Sequence, residues 1–582
     1  MKKFQLLLIL IFVLKTWSSS GQQVEKSDYI SFDQNWKFHK GGAYGAERMG
    51  FDDASWRTIN VPHDWSIEDL EGTNSPFNPN SHTQVGGGFT TGGTGWYRKN
   101  FTVPLENSDK ITIIQFDGVY MKAEVWINGK KLGFQPFGYT TFQYDLTPHL
   151  IYGKENIIAV KVKNIGENSR WYSGSGIYRH VWLISKNKTH IQPWGVYVTT
   201  PEINTEKAKV IVETSMSNLE TNNHNLQTIL LDPQGNQVAI KESSHKSTLK
   251  EKDKDKVKQS FTINQPELWS LEHTNQYTAI SKLFVEDKLV DRVETKFGIR
   301  TISFDVDTGF QLNGKSINLK GGCIHHDNGP LGAKSFDRAE ERRIEILKAN
   351  GFNAIRTAVK PPSQKVLEVC DRLGMLVINE AFDMWNEPKN PEDYHLYFKD
   401  WWRNDVRNMV LRDRNHPSII MWSIGNEIPE RATEKGVKTV QKIGNYIHLL
   451  DSTRPITAAV NGLAPDKDPY FATLDVSGYN YAVGGDHNKK DIYKEDHKRV
   501  SDRIMYGSES YPIEAFGSWM DVQELPYVIG DFVWAAWDYI GEAGIGWMGY
   551  PQKSNFYPWN LAYTGDFDIC GWKRPQSYYR DA

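Results

Sequence analysis

Cysteine is scarce in this chain: 582 residues contain three, Cys323, Cys370 and Cys570, far apart in sequence. So few exclude a disulfide-built scaffold, and their spacing excludes the paired-cysteine patterns of zinc and redox sites. Beyond the first residues there is no long apolar run, so no later segment suits a membrane-spanning helix. Charge of one sign is lacking as well. Against 68 Lys and Arg stand 71 Asp and Glu, a net charge of −3, which leaves no global electrostatic footprint for nucleic acid.

What is present begins with Met1-Lys2-Lys3, an apolar stretch over 4–14 and a small polar segment ending at Gly21. The apolar part is too short to span a bilayer, so residues 1–21 are expected to be a secretory signal peptide. Export with so few cysteines points to a periplasmic or secreted protein held by its cores rather than by disulfides. A chain this long exceeds a single core and divides into three or four domains. Its 20 Trp, 27 Tyr and 26 Phe are mostly core, although such rings also stack on sugar faces.

From about 29 to 194 short alternating runs and turn signals predict β-structure, with Asn128-Gly129 a two-residue hairpin signal. Residues 195–300 continue the pattern, with alternation over 210–216 and a turn over 232–235. The sign-alternating charged run 241–258 is expected to be a solvated edge or loop without a partner. From 301 the period changes. Strands over 318–326, 353–359, 376–382, 418–427, 456–460, 475–481, 503–510 and 527–537 alternate with helical stretches, the pattern of an eight-stranded β/α barrel. One such stretch carries Phe398, Trp401, Trp402, Val406, Met409 and Val410 at helical spacing, all expected in the core.

The fourth of these strands is apolar nearly throughout and breaks off at Asn426 and Glu427; the seventh likewise runs into Glu509. C-terminal strand ends form the catalytic face of such barrels. Two carboxylates there suit glycosidic cleavage, in which one group protonates the leaving oxygen while the other attacks the anomeric carbon or activates water. The segments "RDRNHPSIIMWSIGNE" (412–427), "MYGSES" (505–510), "VPHDW" (61–65), "GGTGWYRKNF" (92–101), "SRWYSGSGIYRHVWL" (169–183) and "FGIR" (297–300) closely resemble glycoside hydrolase family 2, which comprises β-galactosidases, β-glucuronidases and β-mannosidases. Bacterial β-galactosidases are the nearest match.

The resemblance implies a jelly-roll β-sandwich over 22–194, an immunoglobulin-like β-sandwich over 195–300 and a (β/α)8 TIM barrel over 301–582. It implies a retaining exo-β-glycosidase, with Glu427 as acid/base and Glu509 as nucleophile. Those roles require Glu427 to hold a proton near neutral pH while Glu509 stays charged, and Arg356 is the expected positive charge beside Glu509. Tyr481 is expected to orient the nucleophile and Asn426 to bond the sugar 2-hydroxyl. His326 and Asp327 are expected to face the sugar, with His325 structural. Trp534 is expected as an apolar floor, while Trp537 is either floor or core. Asp64 and Arg170 occupy positions where jelly-roll loops touch the nonreducing sugar in relatives.

Departures from the family pattern bear on specificity. Ala358 and Val359 stand where many β-galactosidases have Ser-His. Glu380 matches an acidic ligand of the magnesium site in some relatives, but Phe382 takes its histidine partner's place, so neither metal nor cofactor is expected. Arg170 and Lys360 near the mouth favour an anionic substituent. The alternatives are therefore β-glucuronidase, β-mannosidase, an enzyme for a modified galactose, or a carbohydrate-binding protein without turnover. The closing "GWKRPQSYYRDA" (571–582) has the look of an internal segment, with further β domains expected beyond it, and assembly state is not legible.

Overall fold

The computed structural model describes residues 28–219, 223–246, 255–483, 491–546 and 557–581. The expected signal peptide lies outside these residues, as does part of the charged run 241–258. Among the described residues no helix is long and apolar enough to cross a membrane.

The N-terminal sandwich packs a six-stranded sheet on a four-stranded one. Trp36, Phe38, Trp65, Tyr97, Val125 and Val160 fill the space between, as alternation along each strand dictates. Strands Ala123–Ile127 and Lys130–Gln135 form the expected hairpin. Asn128 and Gly129 both have positive φ, 50° and 78°, the requirement of a two-residue turn matching strand twist. In the second sandwich a three-stranded sheet faces a four-stranded one. Lys207–Ser217 alternates buried and half-exposed residues along its length, with Val210, Val212 and Met216 inward.

Eight parallel strands then close into a barrel: Leu319–Ile324, Ala354–Thr357, Leu376–Glu380, Ile419–Asn426, Ile456–Val460, Val476–Asn480, Met505–Ser510 and Val528–Val533. Every residue of the fourth strand is buried, because helices cover one side and the barrel interior the other. A small three-stranded meander over 302–316 precedes the first strand.

Helix His395–Asp413 departs from expectation in one respect. Phe398, Val406, Met409 and Val410 are buried, but Trp401 and Trp402 are only partly so. Trp402 meets Tyr446 of the neighbouring helix edge-on at 5.7 Å. Trp401 instead faces Phe134 of the first sandwich. Helical spacing registers the stripe but not its edges, and the edge residues here meet another domain.

That domain is keyed to the barrel by polar contacts. Gln135 donates to Asp405 (2.8 Å), Arg179 to the Pro361 carbonyl (3.0 Å) and Arg412 to the Thr141 hydroxyl (3.0 Å). The sandwich is thereby docked against helix His395–Asp413 and the segment that follows the second barrel strand.

Candidate active site

Arg356, on the second barrel strand, is fully buried and joins four strands. Its Nε and Nη2 donate to the two oxygens of Glu380 (3.1 and 2.7 Å). Nη2 also donates to Asn426 Oδ1 (2.8 Å), and Nη1 to Glu509 Oε1 (2.8 Å) and the Ser508 carbonyl (3.1 Å). A buried guanidinium needs carboxylate partners of good geometry; this one has two. Glu380 is further held by the Ser423 hydroxyl (2.6 Å). Phe382 stacks on Tyr394 with ring centroids 5.6 Å apart and also packs against Phe137 and Phe398, so it belongs to the packing beneath the site.

Glu427 follows the fourth strand with φ 45°, a left-handed conformation that costs a non-glycine residue about 1–3 kcal/mol and recurs at functional sites. Its amide donates to the Ala459 carbonyl (2.7 Å), fixing the turn. Oε1 accepts from Asn480 Nδ2 (3.0 Å), and Oε2 lies 3.6 Å from Arg170 Nη1. Tyr481 has φ 57° and donates its amide to the Glu509 carbonyl (2.6 Å), while its hydroxyl bonds the Glu509 carboxylate.

Burial pushes the Glu509 carboxyl up to about 7; Arg356 and the Tyr481 bond oppose the rise, and the nearby Glu427 adds to it. That balance works against the charge expected on Glu509 near neutral pH. The reason is desolvation, which Arg356 offsets only in part because it also serves Glu380.

Arg170 extends from its sandwich loop to Asp383, bonding it through Nε (3.0 Å) and Nη2 (2.8 Å). Lys389 reaches the same carboxylate (2.7 Å) and the Asn426 carbonyl (2.9 Å), and Asn426 Nδ2 donates to it as well (3.0 Å). Burial disfavours a charge on Asp383, but Arg170 and Lys389 outweigh it and hold the carboxyl well below the usual carboxylate range. Asp383, Lys389 and Asn480 were not singled out from sequence; the first lies three residues past Glu380, beyond the end of its strand.

An aromatic wall stands beside these groups. His325 stacks on Tyr539 (4.1 Å) and meets Trp534 and Trp171, each at 5.3 Å. Lys360 Nζ sits 2.8 Å from His325 Nδ1 and 4.2 Å from the Trp171 ring; burial, with no carboxylate bonded, pushes its amine well down. Trp537 stacks on Phe567 (5.6 Å), which places it in the core.

Two expected sugar contacts sit elsewhere. His326 faces the sandwich, with Nε2 3.0 Å from the Ser173 carbonyl and Tyr139 and Tyr178 against its ring, so His325 and not His326 joins the wall. Strand parity explains the exchange. Cys323 points inward, 3.6 Å from Arg356; His325, two residues on, shares that side and His326 takes the other. Asp64 is fully buried and its oxygens accept from the amides of Ser66 (2.9 Å), Ser175 (2.8 Å) and Ala333 (2.8 Å) and from the Tyr172 hydroxyl. It fastens sandwich loops to the barrel. Asp327 accepts from the Ile540 amide (3.3 Å), and burial pushes its carboxyl up to about 6.

Three family models cover most of the chain: "Glycosyl hydrolases family 2, sugar binding domain" over 29–187, "Glycosyl hydrolases family 2" over 189–300 and "Glycosyl hydrolases family 2, TIM barrel domain" over 306–504. "Beta-galactosidase BoGH2A" of Bacteroides ovatus is 35% identical over 96% of this chain and 72% of that protein. The chain belongs to glycosyl hydrolase family 2. A "Putative beta-glucuronidase" of Formosa agariphila is 32% identical over 99% of this chain, which spans 57% of that protein's length. Among solved structures, a family 2 member from Bacteroides cellulosilyticus aligns with a TM-score of 0.92 at 48% identity, covering 95% of this chain and 70% of that one.

In this family 2 glycoside hydrolase the barrel mouth thus holds two carboxylates on different strands. One, Glu509, is buried on Arg356; the other, Glu427, is partly open and braced by Asn480. Among the described residues no group of three or more His, Cys, Asp or Glu is arranged to hold a metal.

Proposed function

We propose that this chain is a retaining exo-β-galactosidase in which Glu509 attacks the anomeric carbon and Glu427 protonates the departing oxygen. The observation that carries the mechanism is the shared guanidinium: Arg356 bonds Glu509 at 2.8 Å and Asn426 at 2.8 Å, orienting the nucleophile and the 2-hydroxyl partner together. In the ionised state Glu509 forms a bond to the anomeric carbon as the glycosidic oxygen leaves with the Glu427 proton. Glu427 then takes a proton from water, whose oxygen displaces Glu509. Asn480 holds Glu427 from one side and Arg170 lies on the other.

A neutral sugar is supported by the state of the cations. Arg170 and Lys389 both bond Asp383, which competes with a substrate carboxylate for them, and burial pushes the Lys360 amine well down. The 35% identical relative named a β-galactosidase points the same way. β-Glucuronidase is the second reading, favoured by the Formosa relative and by the presence of Arg170 itself at the mouth. Hydrolysis of a panel of nitrophenyl β-glycosides, with a 2-fluoro galactosyl inactivator to label the nucleophile, tests both parts. Turnover of the galactoside with label on Glu509 is expected. Preferential turnover of the glucuronide or mannoside overturns the sugar, and label on another residue overturns the mechanism. The lysine-led apolar segment at the N-terminus supports export from the cytoplasm.

A further inference from the structure

Where the first sandwich, the second sandwich and the barrel meet, a cleft of about 480 Å³ opens on the outer flank of the barrel. It belongs to a different part of the fold from the catalytic pair, which sits at the strand ends. Its walls come from three domains: Phe134 and Gln143 from the first, Gln192 and Trp194 from strand His190–Ile203, which belongs to the second sandwich and so starts that domain before the expected 195, and Trp401, Asn404 and Arg407 from helix His395–Asp413.

Several features show construction rather than a gap in packing. Pairing of His190–Ile203 with its neighbour skips between Ile191 and Val196, a bulge that frees residues 192–195 from the ladder, and bulges re-aim side chains in this way. Trp194 within it has φ 54°, an outlier for so bulky a residue that persists only where the surroundings demand it. The Arg414 guanidinium holds its carbonyl (3.4 Å). Gln192 and Gln143 are each fixed through the amide nitrogen, to the Met216 carbonyl (2.9 Å) and to Gln115 Oε1 (2.6 Å). Trp401 and Phe134 meet at right angles, with centroids 6.1 Å apart and planes at 84°, so the cleft has a rigid aromatic corner. Trp401, Asn404 and Arg407 are spaced to share one helix face.

We propose that this cleft is a second saccharide site, which binds a segment of a neutral glycan away from the bond being cut. The lining chemistry selects the ligand class. Aromatic rings offer faces for the C–H side of a pyranose, and fixed amides offer paired donors and acceptors for its hydroxyls. Arg407 is the only charged residue lining the cleft among the described residues and is itself exposed, so the lining is mainly uncharged aromatic and amide surface. The volume lies in the range of small-ligand sites, roughly 300–1,000 Å³. A glycan held here tethers the enzyme to its polymer while the barrel mouth works on chain ends. The class of ligand rests on the glycosidase reading; the site itself rests on the cleft.

The test uses the full chain carrying Glu509→Gln, run on native gels containing a soluble galactan, glucan, mannan or xylan. At least one polymer is expected to retard it. Trp401→Ala, and separately Asn404→Ala with Arg407→Ala, are expected to weaken that retardation about tenfold or more. In the active enzyme the same substitutions leave nitrophenyl galactoside hydrolysis within about twofold. Retardation unchanged in both variants, or absent with every polymer, overturns the second site. So does a wild-type dimer in sedimentation that Trp401→Ala converts to monomer without altered glycan binding, which makes the cleft a contact between copies. Polymer binding without galactoside turnover overturns the proposed activity and leaves the site standing.

Discussion

Replacing Arg356 with glutamine removes the guanidinium bonded to Glu509, at 2.8 Å. A hydrogen bond to a charged group contributes about 1.5–3 kcal/mol, and about 1.4 kcal/mol corresponds to one pKa unit. The Glu509 carboxyl, already raised to about 7 by burial, is therefore expected to rise by about 1–2 units, to about 8–9. Only the ionised fraction attacks, so kcat/KM at pH 7 falls from about half its plateau to about 1–10% of it, and most of the loss returns at pH 9. The assay is the pH profile of kcat/KM on dinitrophenyl β-galactoside, whose leaving group departs without a proton, so that Glu427 as acid does not set the limb. Such a limb belongs to the coupled pair of carboxylates, and Glu427→Gln supplies the opposite sign. Removing that carboxylate takes away a group that adds to the Glu509 rise, so the acid limb moves down. Because Arg356→Gln also leaves Glu380 buried without its partner, at about 3–5 kcal/mol, rates are normalised to molecules that take up the 2-fluoro label. An acid limb unmoved or shifted downward in Arg356→Gln refutes the electrostatic role given to this residue.

Three further perturbations separate roles that distance alone leaves joined. Asp383→Asn takes the carboxylate from between Arg170 and Lys389; the glucuronide-to-galactoside ratio of kcat/KM is expected to rise about tenfold, as befits roughly 1.4 kcal/mol, and an unchanged ratio argues against those cations facing the sugar. Asp64→Ala leaves three buried amides and the Tyr172 hydroxyl short of acceptors, so thermal stability drops while KM for small glycosides stays within about twofold; at about 1–3 kcal/mol per unsatisfied buried group the loss is readily seen in melting curves, and a raised KM with unchanged melting restores a sugar contact. Asp405, between Gln135 and Tyr394, is pushed up to about 7 by burial. A raised carboxyl binds its proton more tightly when folded, so its contribution is intact below about 4 and lost as pH rises through about 7. Asp405→Asn should accordingly raise the melting temperature more at pH 8 than at pH 5, and an equal effect at both contradicts the shift.

Much of the site was legible because its signals are local. Glu427 and Glu509 end apolar strands, and Arg356 and Tyr481 lie at or next to the ends of theirs. What was not legible depends on which way a side chain turns and on what arrives from elsewhere in the chain. His325 and His326 are adjacent and chemically identical, and only the parity set by Cys323 against Arg356 assigns one to the aromatic wall and the other to the sandwich. Asp64 offers the same carboxylate to a sugar or to backbone amides, and only folding brings Ser175 and Ala333 to it. Trp401 fits the helical core stripe, yet its neighbour across the domain boundary is Phe134.

The sequence by itself carried the change from β stretches to a β/α barrel and the two carboxylates at strand ends, because hydrophobic periodicity and the position of a residue at a strand end are properties of neighbours along the chain. Tertiary structure alone decided the burial of Glu509, the pairing of Arg170 and Lys389 with Asp383, and the cleft where three domains meet. Those depend on burial and on charges within a few ångströms of one another, drawn from residues far apart in the chain, such as Arg170 and Asp383, which are 213 positions apart.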